Sequence, residues 1–267
     1  AGAERVFSIM DEKEEEKQGK TSMPKGKGVV NFEHVDFSYV PEKQILYDFN
    51  LEVRAGHKVA LVGATGSGKT TVVNLLMRFY EISAGKISID GVDIRDIGMD
   101  ELRKNIAIVL QDTVLFSDTI RNNIKYANLD AEEEKMKQAA ATANCGRMIE
   151  RMEQGYDTIL SEGGQNLSQG QRQLLSIARA VLADPKILIL DEATSSVDTR
   201  TEKHIQDAMV NLMKDRTSLI IAHRLSTIQD ADFIVVLDGG RIVETGNHEE
   251  LIEKKGRYYE LYMTQFA

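Results

Sequence analysis

The sequence GATGSGKT, residues 63–70, has three glycines and a lysine in the pattern G-x-x-x-x-G-K-[ST]. The apolar run KVALV at residues 58–62 precedes it and predicts a buried strand, and TTVVNLLMRFY at residues 70–80 follows with helical spacing. Glycines let backbone N–H groups surround a phosphate, and the N-terminus of the helix adds partial positive charge. The stretch therefore predicts a phosphate-binding loop between a strand and a helix; a glycine-rich turn without a ligand is the alternative.

Side chains around this loop are suited to a nucleotide and a metal ion. Lys69 offers a mobile positive charge to β- and γ-phosphates, and the Thr70 hydroxyl is a suitable Mg²⁺ ligand. The run ILILDE at residues 187–192 predicts a second buried strand that ends in two carboxylates. Because ligands of open α/β sheets bind at the carboxyl ends of strands, we expect Asp191 to hold Mg²⁺ and Glu192 to orient or deprotonate a water. Taken alone, an apolar run before Asp-Glu is also a common strand end.

The remaining pattern predicts an α/β fold. Apolar residues alternate at 29–39, and a second strand follows at 46–53, which favours an antiparallel N-terminal β subdomain. Beyond the loop, strands alternate with helices, which favours a mixed, mainly parallel sheet, and residues of about 112–182 are predicted to form an inserted α-helical subdomain. Further strands are predicted at 86–91, 106–110, 187–190, 218–222 and 233–246, with a hairpin turn at Gly239-Gly240, and further helices at 201–213 and 248–266.

Composition narrows the classes of function. The 267 residues carry 33 lysines and arginines against 42 aspartates and glutamates, a net charge of −9, which disfavours nucleic acid or an anionic membrane surface as a partner. Cys145 is the sole cysteine, so an internal disulfide is impossible, a reducing compartment is indicated, and we expect a buried small side chain rather than a nucleophile. No apolar run approaches the ~18 residues of a membrane span, and no signal peptide is recognisable.

The first twenty residues differ from the rest. Val6, Phe7 and Met10 have helical spacing, whereas DEKEEEKQGK at residues 11–20 lacks apolar residues and predicts a solvated linker. The chain begins Ala-Gly-Ala rather than with methionine, so we expect a segment of a longer protein. We therefore divide it into a tail at 1–20 and a nucleotide-binding domain at 21–267.

A second candidate anion site lies in SEGGQNLSQGQRQ, residues 161–173. Glycine, serine and glutamine precede an apolar helical pattern here, and such a cluster at a helix start binds an anion or caps the helix. A second phosphate-binding element needs an explanation, because the loop at 63–70 is already complete.

As a set, these motifs resemble the nucleotide-binding domains of the ATP-binding-cassette (ABC) family, over nearly the whole chain from about residue 28. The most specific element is Leu167-Ser168-Gln169-Gly170-Gln171, which looks like the signature of that family and which other phosphate-loop ATPases lack. The motifs also follow the family's chain order, and none departs from its pattern. The resemblance implies a phosphate-loop NTPase core that binds ATP and Mg²⁺ and hydrolyses ATP.

The resemblance assigns roles to further residues. Tyr39 matches the aromatic residue that stacks on adenine, and Gln111 matches the glutamine that touches Mg²⁺ and the attacking water. His223 matches the histidine that contacts the γ-phosphate, and Ser195-Ser196-Val197-Asp198 matches the loop after the catalytic glutamate. Each residue alone has an ordinary interpretation, as a strand aromatic, a polar strand end or one of five histidines. The implied catalytic residues are Glu192, His223 and Gln111, the implied metal ligands are Thr70, Gln111 and Asp191, and the implied nucleotide-binding residues are Tyr39, Gly63, Gly66, Ser67, Gly68, Lys69, Thr70, Thr71, Ser168, Gly170, Gln171 and Asp198.

The resemblance also implies partners. The signature would serve the γ-phosphate of ATP held by a second nucleotide-binding domain, identical or different, packed head to tail. Three stretches resemble the exporter type: the glycine-acid segment before the signature, the tail at residues 1–12, and QDTVLFSDTIRNNI at residues 111–124, on which coupling helices of a transmembrane domain rest. Val114, Leu115 and Phe116 would form an exposed apolar patch there, unless they pack inside the helical subdomain. The chain would then drive export from the cytoplasmic face of a membrane.

Two other functions stay open at this point. The first is a soluble ABC ATPase of DNA repair or translation. DNA-repair members separate the two halves of the site by a long coiled coil, whereas Lys69 and Ser168 are only about a hundred residues apart, and translation members usually carry two cassettes. The second is a non-hydrolysing regulator, which the presence of Glu192 and His223 disfavours. The sequence does not identify a transported substrate, because a transmembrane domain would select it.

Overall fold

The computed structural model describes residues 2–12, 19, 21–110, 113–191, 199–222 and 225–266. In these residues the strands are β1 (Val30–Val40), β2 (Lys43–Val53), β3 (Lys58–Val62), β4 (Ala84–Ile89), β5 (Val92–Asp93), β6 (Ile106–Val109), β7 (Ile187–Asp191), β8 (Thr217–Ile221), β9 (Phe233–Asp238) and β10 (Arg241–Gly246). The helices are α1 (Gly2–Met10), α2 (Lys69–Leu76), α3 (Met99–Asn105), α4 (Ile120–Lys125), α5 (Glu133–Thr142), α6 (Gly146–Glu150), α7 (Gln169–Ala183), α8 (Thr199–Met213), α9 (Leu225–Gln229), α10 (His248–Lys254) and α11 (Arg257–Phe266), with short 3-10 turns at Gly155–Asp157 and Glu162–Gly164. None of these helices has both the length and the apolar character that a membrane span requires.

The N-terminal sheet is antiparallel, with strand order β2-β1-β4-β5. The predicted alternation in β1 changes phase once, at a β-bulge. Val30 and Phe32 are buried before the bulge in the sequence, and Val35 and Phe37 are buried after it. The bulge brings residues 35, 37 and 39 onto one face of the strand. Tyr39 therefore follows the two buried residues at its C-terminal end.

The second sheet has strand order β10-β9-β3-β8-β7-β6. Its strands β9, β3, β8, β7 and β6 are parallel, and β10 forms the predicted hairpin with β9. Alternate residues of β3 enter two different hydrophobic clusters: Ala60 and Val62 pack on one face, and Val59 and Leu61 on the other. This is why VALV at residues 59–62 is continuously apolar, since a parallel strand buried on both faces has no polar side.

The two clusters place helices on both sides of the sheet. One contains the apolar residues of α4, α5 and α7, and the other contains those of α2 and the N-terminal sheet. Cys145 is fully buried in the first cluster, and burial raises the pKa of its thiol to about 12. The expected mixed α/β fold with an antiparallel N-terminal sheet is thus confirmed, and Cys145 is a buried small residue, as expected.

The helix predicted at residues 70–80 is shorter than expected, because α2 ends at Leu76. Arg78 adopts a left-handed conformation with φ of 54°, and the N–H of Phe79 donates to Asn74 O at 2.9 Å. This bond and the left-handed residue before it are typical of a Schellman motif at a helix C-terminus, where glycine usually occupies the left-handed position. Here an arginine occupies it and forms an ion pair with Glu81 at 2.8 Å, so the sequence carries no recognisable stop.

Candidate functional site

The predicted phosphate loop leaves the end of β3 and enters α2. Gly68 is the N-cap of α2 with φ of 108°, a left-handed conformation, and a Cβ there would lie 2.8 Å from a methyl group of Leu46. From the other side, the N–H of Gly240 donates to Ser67 O at 3.2 Å. The loop is therefore fixed against both sheets, and the first N–H groups of α2, which lack intrahelical acceptors, suit an anion.

A lysine and an aspartate lie close to each other at this edge of the sheet. Lys69 is buried, and its Nζ donates to Gly63 O at 2.7 Å and to Ala64 O at 3.0 Å. Burial lowers the pKa of Lys69, and the negative charge of Asp191 opposes this shift. Asp191 is the half-buried last residue of β7, and Thr70 is exposed in the first turn of α2. The structure thus brings together the predicted phosphate-binding lysine and the predicted metal-binding carboxylate.

The oxygen donors at this position fit Mg²⁺. This ion binds proteins through one or two oxygen ligands together with substrate phosphates, and the Thr70 hydroxyl and the Asp191 carboxylate are such ligands. No group of three or more His, Cys, Asp or Glu side chains in the described residues could hold a metal ion. The Thr70 hydroxyl and the Asp191 carboxylate therefore suit an ion that also takes phosphate oxygens as ligands.

Tyr39 is fixed to the same helix as the phosphate loop. Its hydroxyl lies 3.2 Å from the Thr71 hydroxyl and accepts a hydrogen bond from Asn74 Nδ2 at 3.2 Å. Its ring makes edge contacts with Phe37 at 4.8 Å and Tyr80 at 4.9 Å, measured between centroids. The side chain is nevertheless 43% exposed, so part of its surface is accessible to a ligand beside α2.

The residues that hold Tyr39 were missed in the sequence. Asn74 lies three positions after Thr71, so both face the same side of α2, and this spacing was a usable signal. Tyr80 follows the end of α2, and no periodicity connects it to β1.

The other predicted active-site residues follow the ends of neighbouring parallel strands. β6, β7 and β8 end at the same edge of the sheet as β3. Gln111, Glu192 and His223 come within two residues of these strand ends in the sequence. They and Asp198 lie outside the described residues, so their roles stay predictions.

Ser168 begins α7 as its N-cap. Its hydroxyl accepts a hydrogen bond from the N–H of Gln171 at 3.3 Å, and Gln171 Oε1 accepts from the N–H of Ser168 at 2.9 Å. This reciprocal pair is a capping box, and Gly170 is buried in the first turn of the helix. The stretch at 161–173 therefore caps a helix, and within the described residues neither side chain hydrogen-bonds to the phosphate loop. A contact of the signature with ATP stays a prediction.

The predicted apolar patch at residues 114–116 is only partly correct. Val114 and Phe116 are exposed, but Leu115 is 4% exposed because it packs against Gly164, where a Cβ would lie 2.8 Å from its methyl group. Phe116 instead pairs with the exposed ring of Tyr126, with centroids 4.5 Å apart. We call residues 113–126 the 113–126 segment.

A buried strand, a glycine-bearing loop that opens a helix, and a buried lysine beside a strand-end aspartate together define a phosphate-loop nucleotide-binding protein. Comparison with protein families gives the particular class: the family described as ABC transporter matches residues 46–195, more than half of the chain. The chain belongs to the ABC transporter family. Membership implies ATP binding and ATPase activity.

Individual proteins are similar over the whole chain. An uncharacterized ABC transporter ATP-binding protein of Bacillus subtilis, YfiC, is 55% identical over 100% of this chain and 44% of its own length. A fatty acid ABC transporter ATP-binding/permease protein of Mycobacterium bovis is 52% identical over 98% of this chain and 41% of its own. A solved structure, described as a bacterial Atm1-family ABC exporter with ATP bound, aligns with a TM-score of 0.88 and 41% identity over 100% of this chain and 47% of that one. The chain thus spans less than half the length of these relatives.

Proposed function

We propose that this chain is the nucleotide-binding domain of an exporter of the multidrug or lipid type, which hydrolyses Mg²⁺-bound ATP to drive transport by a transmembrane domain. The observation that carries the proposal is the phosphate loop with Lys69 against it and Asp191 beside it. The N-terminus of α2 and the positive charge of Lys69 would bind the triphosphate, and the Asp191 carboxylate would bind its metal ion.

Within one chain, the described residues would hold ATP along α2. Tyr39 would stack on adenine, the loop N–H groups would surround the phosphates, and Lys69 would turn from the loop carbonyls to the β- and γ-phosphates. Thr70 and Asp191 would hold Mg²⁺, which neutralises phosphate charge when it is bound. Glu192 would deprotonate the attacking water, assisted by Gln111 and His223.

The second half of each site would come from a partner domain. A head-to-tail pair of nucleotide-binding domains would put Ser168, Gly170 and Gln171 of one chain at the γ-phosphate bound by the other. The start of α7 supports this role, since unpaired N–H groups and the helix dipole favour an anion there.

The relatives favour an exporter over the soluble alternative. The Mycobacterium bovis relative is named an ATP-binding/permease protein, and the solved relative is described as an exporter. We infer that residues 1–20 connect to a transmembrane domain, that 21–267 form the nucleotide-binding domain, and that residues 111–124, within a helical subdomain at about 112–182, receive the transmembrane domain. The chain would then lie at the cytoplasmic face of a membrane. In a longer reading frame, six membrane spans ahead of this segment would support the exporter, and their absence would favour the soluble ATPase.

Substitution of the proposed general base tests the catalytic part. Glu192→Gln keeps the shape of the side chain but removes the proton acceptor, so we expect ATP turnover to fall by roughly 10²–10⁴-fold, while ATP affinity changes only a few-fold. Phosphate release in Mg²⁺ measures turnover. Glu253→Gln, which neutralises an exposed glutamate of α10, is the matched control and should leave turnover unchanged. Substantial hydrolysis by Glu192→Gln would transfer the role of base to another residue.

A further inference from the structure

Arg179, in the third turn of α7, reaches across to the 113–126 segment. Its Nε donates to Asn123 O at 2.9 Å and its Nη1 donates to Val114 O at 3.1 Å. The same guanidinium lies 5.7 Å from the ring centroid of Phe116 and 5.5 Å from that of Tyr126. One side chain of α7 therefore contacts the segment at its start, in its helix and at its end.

The partners of this arginine are unusual for a charged group. In the described residues its contacts are carbonyl oxygens, the amide oxygen of Asn123 at 3.3 Å and two aromatic faces, with no carboxylate among them. Burial lowers the pKa of Arg179, although the group stays protonated at physiological pH. A planar guanidinium carries five donors in a fixed fork and a face that stacks on rings, whereas an ammonium has three donors and no such face, so the contacts favour arginine.

The first residues of the 113–126 segment are held in place by hydrogen bonds from Arg179 and Asn123. Backbone bonds tie residues 118–120 to the chain before the signature, since Ile120 N–H donates to Thr158 O at 3.0 Å and Leu160 N–H donates to Asp118 O at 2.9 Å. Among the described residues, positions 113–117 have no such backbone bond to the chain before the signature. Phe116 instead exchanges two bonds with the side chain of Asn123, at 2.9 and 3.0 Å, and Asn123 Oδ1 is also an acceptor for Arg179.

The same helix carries Ser168 at its N-cap, and Arg179 lies about 16 Å further along the helix axis, at ~1.5 Å per residue. The intervening residues Leu174, Leu175, Ile177 and Ala178 are buried in the core, and such close packing makes α7 a rigid connection between its two ends. We propose that Arg179 is a positioning residue that fixes the 113–126 segment to α7, so that closure of the signature on ATP displaces the surface that receives the transmembrane domain. This proposal rests on the proposed function.

The positioning role can be measured in the chain itself by hydrogen exchange. Arg179→Met keeps an unbranched apolar side chain but removes the charge and all donors. We expect protection of the Phe116 amide, which donates to Asn123 Oδ1, to fall by about 10–100-fold, because the charged hydrogen bonds of Arg179 to Asn123 and Val114 are lost, while protection in the core of α7 changes less than about threefold. Arg179→Lys should recover only part of the protection, since it restores the charge but not the planar group.

The control for this experiment is Arg216→Met. Arg216 is also half-buried and also donates to a backbone carbonyl, that of Leu212, but it pairs with Asp184 at the end of α7 and does not contact the segment. Arg216→Met should leave the Phe116 amide protected. Unchanged protection in Arg179→Met, or an equal loss throughout the chain, would overturn the positioning role.

Transmission from the ATP site needs a second measurement. A spin label on Val114→Cys, in a Glu192→Gln background that retains ATP, should change its spectrum when Mg²⁺-ATP is added. With Arg179→Met in addition, we expect this change to be lost, with ATP affinity within about threefold. An equal spectral change with and without Arg179 would overturn the proposal. Absence of ATP binding in every variant would instead overturn the proposed function and leave the exchange result valid.

Discussion

Truncation of Tyr39 should weaken ATP binding only by removing its contact with the adenine ring. Tyr39→Ala removes the ring, and base–aromatic stacking contributes about 1–3 kcal/mol, so we expect ATP affinity to fall by about 5–150-fold. Tyr39→Phe keeps the ring and its edge contacts with Phe37 and Tyr80, which contribute about 0.5–1.5 kcal/mol each. It loses only the bonds of the hydroxyl to Thr71 and Asn74, so its affinity should stay within about fivefold.

The assay is calorimetric titration with two ligands in Mg²⁺, a non-hydrolysable ATP analogue and inorganic tripolyphosphate. Tripolyphosphate lacks a base, so Tyr39→Ala should bind it with nearly unchanged affinity. Tyr156→Ala, which removes a partly buried tyrosine packed on the helical core, controls for general destabilisation and should change neither affinity. Equal losses for the two ligands in Tyr39→Ala would refute the stacking role, because a ligand without a base cannot stack.

Three further outcomes are expected. Lys69→Ala should abolish most binding of the ATP analogue and of tripolyphosphate, whereas Lys58→Ala, at the opposite end of β3, should not. The same calorimetric titration measures both affinities. Mixed dimers, isolated with two affinity tags, test whether sites are shared between chains. A dimer of Lys69→Ala with Ser168→Arg keeps one intact shared site, so it should hydrolyse ATP faster than a dimer of wild type with the Lys69→Ala/Ser168→Arg double mutant. Activity confined to the dimer that contains the double mutant would contradict shared sites. Because burial raises the pKa of the Cys145 thiol to about 12, the unfolded thiol ionises first as pH rises, so stability should fall between about pH 9 and 12 by up to ~1.4 kcal/mol per pH unit. Cys145→Ala should lack this component in denaturant titrations, and an identical pH profile would contradict it.

The sequence predicts the second sheet well because its strands are buried on both faces. VALV at residues 59–62 and ILIL at residues 187–190 are apolar without alternation. Both strands pair in parallel with β8, which brings their ends to one edge, so the proximity of Lys69 and Asp191 follows from the order of elements. Features fixed by tertiary contacts are less predictable. The helix after the loop ends early at a left-handed arginine, and Leu115 is buried because a glycine of a distant 3-10 turn leaves room for it.

The contacts of Arg179 could not be predicted for a related reason. Its hydrogen-bond partners lie 56 and 65 positions away in the sequence, and most of them are backbone carbonyls, which every residue type provides. A pattern of side chains cannot identify such a partner. By contrast, it was predictable from the sequence that Thr71 and Asn74 share one side of α2, because helical spacing alone places them there, and both contact the hydroxyl of Tyr39.

The capping box at Ser168 restricts which residue can begin α7. A hydroxyl has two acceptor lone pairs and one hydrogen to donate, and the N–H of Gln171 occupies one lone pair. No acceptor among the described residues takes the hydroxyl hydrogen, so one side chain can cap the helix and still donate to an anion. Aspartate would cap equally well, but it has no hydrogen to give and would repel the phosphate, and alanine would do neither. Only a hydroxyl or an amide side chain meets both demands, and serine does so with the fewest atoms between the helix and the phosphate.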